Sequence, residues 1–238
     1  MTQSIQVVDL GRMEYAAAWA LQKTVVGAKR RGDFPDTLLL VEHPPVYTIG
    51  RRGGEQHLLV PRARLEAEGV AVHAVERGGD ITFHGPGQLV GYPILNLKNF
   101  RPDVNVYLRQ LEEVLIGTLG CFGIAAGRQP GLTGVWAGDA KLAAIGVSAH
   151  GWITMHGFAL NLTTDLSYFD RIVPCGIRGQ RVGSMAQWLG DAVSWAAVTD
   201  ALVDCFGRRF AAEMTRVPLA DLRNALDGVP DPVGLLRS

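Results

Sequence analysis

The stretch RIVPCGIRG (171–179) sets Cys175 between Pro174 and Gly176, with Arg171 and Arg178 nearby. Nucleophilic sulfur chemistry needs thiolate, and an ordinary thiol is mostly protonated at neutral pH. Activation therefore requires a neighbouring cation, a base or a helix N-terminus. Pro174 restricts the chain before it, Gly176 lets a backbone or ligand approach closely, and the two arginines would add positive potential. A structural loop cysteine is the competing reading. Cys121 and Cys205 fall in helical, apolar segments and read as inert packing thiols.

Three side chains are candidate proton acceptors. His84 in TFHGPGQ and His156 in TMHGFAL each sit beside glycine, although a single histidine also serves as a hydrogen-bonded structural residue. Lys141 opens the apolar run KLAAIGV, and no lysine follows it in the chain. A desolvated lysine has a lowered pKa and exchanges a proton near neutrality; a strand-end lysine with its amine in water is the alternative. The densest signal is RGGDITFHGPGQLVGYPI (77–94). It has neither the GxGxxG spacing before a helix nor GxxxxGK[ST], so neither a dinucleotide loop nor a phosphate loop is supported. Its glycines suggest a backbone shaped around something bound closely.

These residues need a scaffold. A helix is predicted over 13–31 and ends at Gly32; others are predicted over 104–119 and 195–210. Strands are predicted over 37–43, 70–76, 89–97 and 133–137, with a further pair within 141–162 joined at SAHGW. Residues 142–164 carry no Asp, Glu, Lys or Arg, which raises a membrane span. His150, His156, Asn161 and several hydroxyls would have to be desolvated there, so two buried strands fit better. The order of helices and strands predicts an α/β single domain with a mixed sheet over 1–215. A proline-bearing surface tail is expected over 216–238.

The 238 residues are 47% hydrophobic, long enough to bury a core. Lys plus Arg equals Asp plus Glu at 23 each, so no global field favours nucleic acid or anionic lipid. Three cysteines, no CxxC and no secretory signal fit free thiols in a reducing cytoplasm.

Five stretches in order, EHPPVYTIGRR (42–52), RGGDITFHGPGQLVGYPI (77–94), GVWAGDAKLAAIGV (134–147), HGFALNL (156–162) and IVPCGI (172–177), resemble the octanoyl-[acyl-carrier-protein]-protein N-octanoyltransferase family of lipoate assembly. The resemblance implies a fold shared with the catalytic domains of lipoate- and biotin-protein ligases, with helices flanking the mixed sheet. It implies a thioester acyl-enzyme on Cys175 with Lys141 as the paired acid and base. It also implies an acyl site walled by Arg77, Gly78, Gly79, Asp80, Ile81, Thr82, Phe83 and His84, by Ala144, Ile145 and Gly146, and by Gly157, Phe158 and Ala159. Leu142 is a further candidate for lining the acyl slot.

The implied donor is octanoyl-acyl carrier protein. The implied acceptors are lipoyl domains of 2-oxoacid dehydrogenase complexes and the glycine cleavage H protein. No ATP, no metal, no nucleic acid and no membrane are expected, and a monomer is expected. Arg51 with Arg52, and Arg178 with Arg181, are candidate docking charges for an acidic carrier. Three rivals remain at this stage. One is an ATP-dependent ligase that makes an acyl-adenylate; another is a Cys-His hydrolase using His84 or His156. The third is an RNA- or protein-binding module centred on RGG, which the neutral charge disfavours.

Overall fold

The computed structural model describes residues 3–32, 34–173 and 181–227. Among the described residues, ten strands and six α-helices follow in the order β1 (Gln3–Arg12), α1 (Tyr15–Arg31), β2 (Asp36–Glu42), β3 (Val46–Ile49), α2 (Arg62–Ala67), β4 (Ala71–Ala74), β5 (Ile81–His84), β6 (Gln88–Ile94), α3 (Val104–Gly120), β7 (Val135–Ala137), β8 (Ala140–His150), β9 (Ile153–Asn161), α4 (Ala186–Leu189), α5 (Trp195–Phe210), β10 (Ala212–Arg216) and α6 (Leu219–Leu226). Seven of the strands form one mixed sheet, ordered β10-β1-β2-β6-β9-β8-β7. β1 runs parallel to both β10 and β2, and the remaining pairs are antiparallel. A second sheet, β4-β3-β5, stands beside it.

The expected α/β architecture is therefore present, and its central strands explain the apolar runs. β2, β6 and β9 are buried along almost their whole length because helices cover both faces of the large sheet. On one face Leu38, Leu40, Leu89 and Leu160 meet Leu111, Leu115, Leu202 and Phe206 of α3 and α5. On the other, Val41, Val90, Tyr92 and Met155 meet Tyr15, Ala18 and Val25 of α1 and Leu222 and Leu226 of α6. Each fully buried aliphatic side chain contributes roughly 1.5–3 kcal/mol. A third, smaller core packs α2 and the 168–172 segment against the small sheet, through Tyr47, Leu65, Phe83 and Ile172.

Local signals set the element ends. The Asp103 carboxylate accepts from the amides of Asn105 and Val106 at the start of α3, and Ser194 Oγ accepts from Ala197 at the start of α5. The uncharged run 142–164 is the β8–β9 hairpin. Gly151 and Trp152 both take positive φ in its two-residue turn, as the twist of paired strands favours. Among the described residues no helix is long and apolar enough to cross a membrane.

Several elements differ from the sequence expectation. β1, β3, β5 and β10 are strands where none is predicted. Residues 219–226, predicted within a surface tail, form α6, whose Leu222 and Leu226 are buried against α1 and β1. The rest of the tail, 228–238, lies outside the described residues.

Candidate active site

The glycine-rich segment turns from the small sheet onto the large one. Its backbone is held from both sides: Arg51 N–H donates to Arg77 O at 3.0 Å, Arg52 N–H to Gly79 O at 3.0 Å, and Gly78 N–H to Val147 O of β8 at 2.8 Å. The contact with β8 requires a glycine, because a Cβ on Gly146 would sit 2.9 Å from Gly78 O and 3.1 Å from Arg77 Cδ. The buried Arg77 guanidinium is directed inward, donating from Nη2 to Thr48 O at 2.6 Å and to Thr48 Oγ1 at 2.8 Å. Asp80 steadies the same loop, accepting from Ile81 N–H at 2.6 Å and approaching His57 Nδ1 at 2.6 Å.

A chain of buried polar groups crosses beneath this loop. Gln88 donates from Nε2 to Asn161 Oδ1 at 2.9 Å and to Phe83 O at 3.2 Å, so its Oε1 accepts from His84 Nδ1–H at 2.7 Å. The other ring nitrogen of His84 is then unprotonated and faces Thr48 Oγ1 at 3.5 Å. Burial, reinforced by His43, pushes the His84 pKa down to about 3, which makes the ring a poor proton acceptor at neutral pH. Burial likewise lowers His156, although Glu76 Oε2 lies 3.6 Å from its Nε2. His156 has φ +60, and its backbone N–H donates to Gln22 Oε1 of α1 at 2.9 Å. The two histidines are thus neutral, packed parts of the wall.

Lys141 lies near the start of β8. Its side chain passes the α-carbon of Gly134, and its Nζ stands 5.0 Å from the centre of the Trp136 ring. Residues 181–183 run beside it: Lys141 N–H donates to Arg181 O at 2.8 Å and Gly183 N–H donates to Lys141 O at 2.9 Å. Asn161 Nδ2 holds Gly183 O from the other side at 2.9 Å. The chain that returns from the Cys175 stretch is therefore fixed between Lys141 and Asn161. Cys175 itself, with Arg178, falls in 174–180, outside the described residues.

These groups surround one cavity of about 680 Å³, within the ~300–1,000 Å³ usual for small-molecule sites. Lys141 lines it. So do Arg77, Gly78, Gly79, Asp80, Ile81, Thr82 and His84, all of Ala144–Gly146 and all of Gly157–Ala159. Phe83 does not. Alternation along β5 turns Thr82 and His84 toward the cavity, while the Phe83 ring stacks on Tyr168 at 4.4 Å in the small core. Leu142, also expected to line the slot, is buried in the main core instead. Phe169 and Val182, one on each side of the Cys175 stretch, both line the cavity.

Arg171 pairs with Glu68, with its guanidinium over the Tyr168 ring. Arg181 is exposed and paired with Asp139, whereas Arg52 reaches the cavity wall and Arg51 is exposed. Cys205 is buried and its pKa raised by that burial, as a packing thiol should be; Cys121, past the end of α3, is exposed rather than packed. Thr48 and Gln88 are site residues that the sequence reading does not single out, and Asn161 enters it only as a polar group in an uncharged run. Their signal is a polar residue within or at the end of an otherwise apolar strand, which must find partners once buried. Among the described residues no group of three or more His, Cys, Asp or Glu is gathered as for a metal ion.

The profile of the lipoyl protein ligase A/B catalytic domain matches residues 14–207. The octanoyltransferase of Solibacter usitatus is 51% identical over 206 residues, covering 87% of this chain and 93% of that one. The octanoyltransferase of Rubrobacter xylanophilus is 50% identical over 198 residues, covering 82% and 89%. Among solved structures, lipoate-protein ligase A bound with ATP superimposes with a TM-score of 0.78 at 16% identity, covering 95% of this chain and 92% of that one. That likeness shows the shared fold.

Proposed function

The chain belongs to the lipoyl protein ligase A/B catalytic-domain family and is an acyltransferase, and from that premise we propose that it carries an octanoyl group from acyl carrier protein to a lipoyl-domain lysine, through a thioester on Cys175. The observation that carries the reading is the shared cavity. It gathers Lys141, the Arg77–His84 loop, Ala144–Gly146 and Gly157–Ala159, together with residues on both sides of the Cys175 stretch.

The steps follow from the groups present. Lys141, as a neutral amine, takes the proton of the Cys175 thiol. The thiolate attacks the thioester carbonyl, and the ammonium of Lys141 returns the proton to the departing pantetheine sulfur. The octanoyl group now rests on Cys175. In the second half the acceptor lysine amine attacks that carbonyl and gives its proton to Lys141. Collapse of the adduct forms the amide and releases the Cys175 thiolate. Exchange of one thioester for another is nearly balanced and conversion to an amide is downhill, so neither ATP nor a metal is needed. Splitting the transfer lets two protein partners visit the site in turn, which gives ping-pong kinetics.

The apolar lining supplies selection. Each methylene buried contributes about 0.8 kcal/mol, so a chain shorter by one carbon loses a few-fold in kcat/KM. The acceptors are lipoyl domains of 2-oxoacid dehydrogenase complexes and of the glycine cleavage system, and the compartment is the cytoplasm.

The test is transfer to a purified lipoyl domain in the absence of nucleotide. Octanoylation of its lysine from octanoyl-acyl carrier protein without ATP is the expected result. Octanoylation only from free octanoate with ATP would instead make the protein a ligase.

A further inference from the structure

The cavity is larger than the acyl wall. Beyond that wall it is also lined by Val104 and Leu108 of α3 and by Gly131, Leu132 and Thr133 of the loop before β7. We propose that this second arm binds the pantetheine portion of the donor, the chain of methylenes and secondary amides that carries the thioester sulfur. The proposal rests on the octanoyl-transfer reading and adds a site to it.

Strand order gives the two arms their directions. Across the large sheet the sequence is β6-β9-β8-β7, from the interior to the edge. Gly157–Ala159 lie on β9, so the acyl wall extends inward from β8. Lys141 lies toward the edge, with its Cε against Gly134 and its amine near Trp136 of β7. The carbonyl carbon of a thioester is trigonal, so the acyl chain and the sulfur leave it in different directions. With that carbon beside Lys141 and the hydrocarbon tail over β8 and β9, the sulfur and the chain attached to it take the remaining part of the cavity, lined by α3 and the 131–133 loop. The chemistry there suits such a chain: Val104, Leu108 and Leu132 offer aliphatic surface, while the Thr133 hydroxyl and the main chain of Gly131 offer hydrogen-bonding groups at the same wall.

The arm is also built firmly. Two hydrogen bonds close the loop at its base, Gly127 N–H to Trp136 O at 2.7 Å and Trp136 N–H to Gly127 O at 2.9 Å. Glu112, 0% exposed on α3, grips both feet: Oε2 meets Arg128 Nε at 2.6 Å and Oε1 accepts from Gly134 N–H at 3.2 Å. Arg109 adds a second guanidinium to the same carboxylate at 2.6 Å. A buried carboxylate with two cationic partners fixes the loop that forms the wall, and a preformed wall binds with less ordering cost.

The experiment compares octanoyl-pantetheine with octanoyl-N-acetylcysteamine, which keeps the thioester but lacks most of the arm, as donors for acyl-enzyme formation. The expected kcat/KM ratio favours pantetheine at least tenfold in the wild-type protein. In Leu132→Trp, which fills the arm, it falls to within about twofold of one. Thr133→Val, close in shape, reads the same ratio should the tryptophan variant fail to fold, and lowers it severalfold. A ratio near one in the wild-type protein, or a ratio unchanged in folded variants, overturns the proposal. Failure of the wild-type protein to accept an octanoyl group from either donor would overturn the octanoyl-transfer reading itself, and this site with it.

Discussion

The Lys141 side chain runs so close to Gly134 that a Cβ at Gly134 would lie 2.6 Å from Lys141 Cε. Gly134 also has φ +141, a conformation that L residues rarely adopt. The two features make the glycine the channel through which the lysine reaches the cavity. Gly134→Ala is expected to displace the amine and slow acyl-enzyme formation by tenfold or more. Single-turnover kinetics from octanoyl-acyl carrier protein measure this; an unchanged rate would show that the lysine reaches the site by another route.

Lys141 is assigned a proton-transfer role, so charge alone does not replace it. Arginine stays protonated at any working pH. Lys141→Arg and Lys141→Ala are therefore both expected to lower kcat/KM by about 10²–10⁴, the usual range for general acid–base catalysis. A Lys141→Arg protein with near wild-type kcat/KM would reduce the residue to an electrostatic one.

The β8–β9 pair was legible because its apolar residues form an uncharged run broken only by a glycine turn, and α1, α3 and α5 because their apolar residues recur at helical spacing. β3 and β5 were not, since four residues flanked by Pro45 or by Gly79 and Gly85 give little periodicity. β1 and β10 pair in parallel from opposite ends of the chain, which no local pattern reveals. In the site, Phe83 was misplaced although period-two alternation with His84 already sets it on the other face. Lys141 and the glycine-rich loop stood out in the sequence; Gln88 and Asn161 matter through partners 73 positions apart.

A test of the fold away from the cavity uses Lys29 of α1. Its amine meets Asp36 Oδ1 at 2.7 Å, both side chains are nearly inaccessible, and Asp36 also accepts from Asn96 N–H and Asn99 Nδ2. Lys29→Met removes the countercharge and leaves the carboxylate buried. A loss of about 3–5 kcal/mol is expected, measured by denaturant unfolding. A loss under about 1 kcal/mol would mean that Asp36 is adequately held by its amide donors.

Acid should destabilise the fold through its buried histidines. Burial lowers His43 to about 4 and His84 to about 3, and also lowers His73 and His156. The unfolded chain binds protons at an ordinary pKa near 6.5 while the folded one does not. Their contribution is thus complete above about pH 6.5 and is lost as pH falls toward the folded values. For His43 and His84 the loss approaches about 3 kcal/mol each near pH 4. Melting temperature is expected to fall steeply between pH 6.5 and 4, and less steeply in His43→Gln. Identical slopes for the two proteins would contradict the account.

The most direct measurement of the central claim is intact mass after mixing the protein with octanoyl-acyl carrier protein, followed by mapping of the modified peptide. The account predicts a gain of one octanoyl group, carried by Cys175, discharged on addition of a lipoyl domain and absent in Cys175→Ser. An octanoyl adduct that persists in Cys175→Ser, or transfer to the lipoyl domain undiminished in that variant, would contradict it.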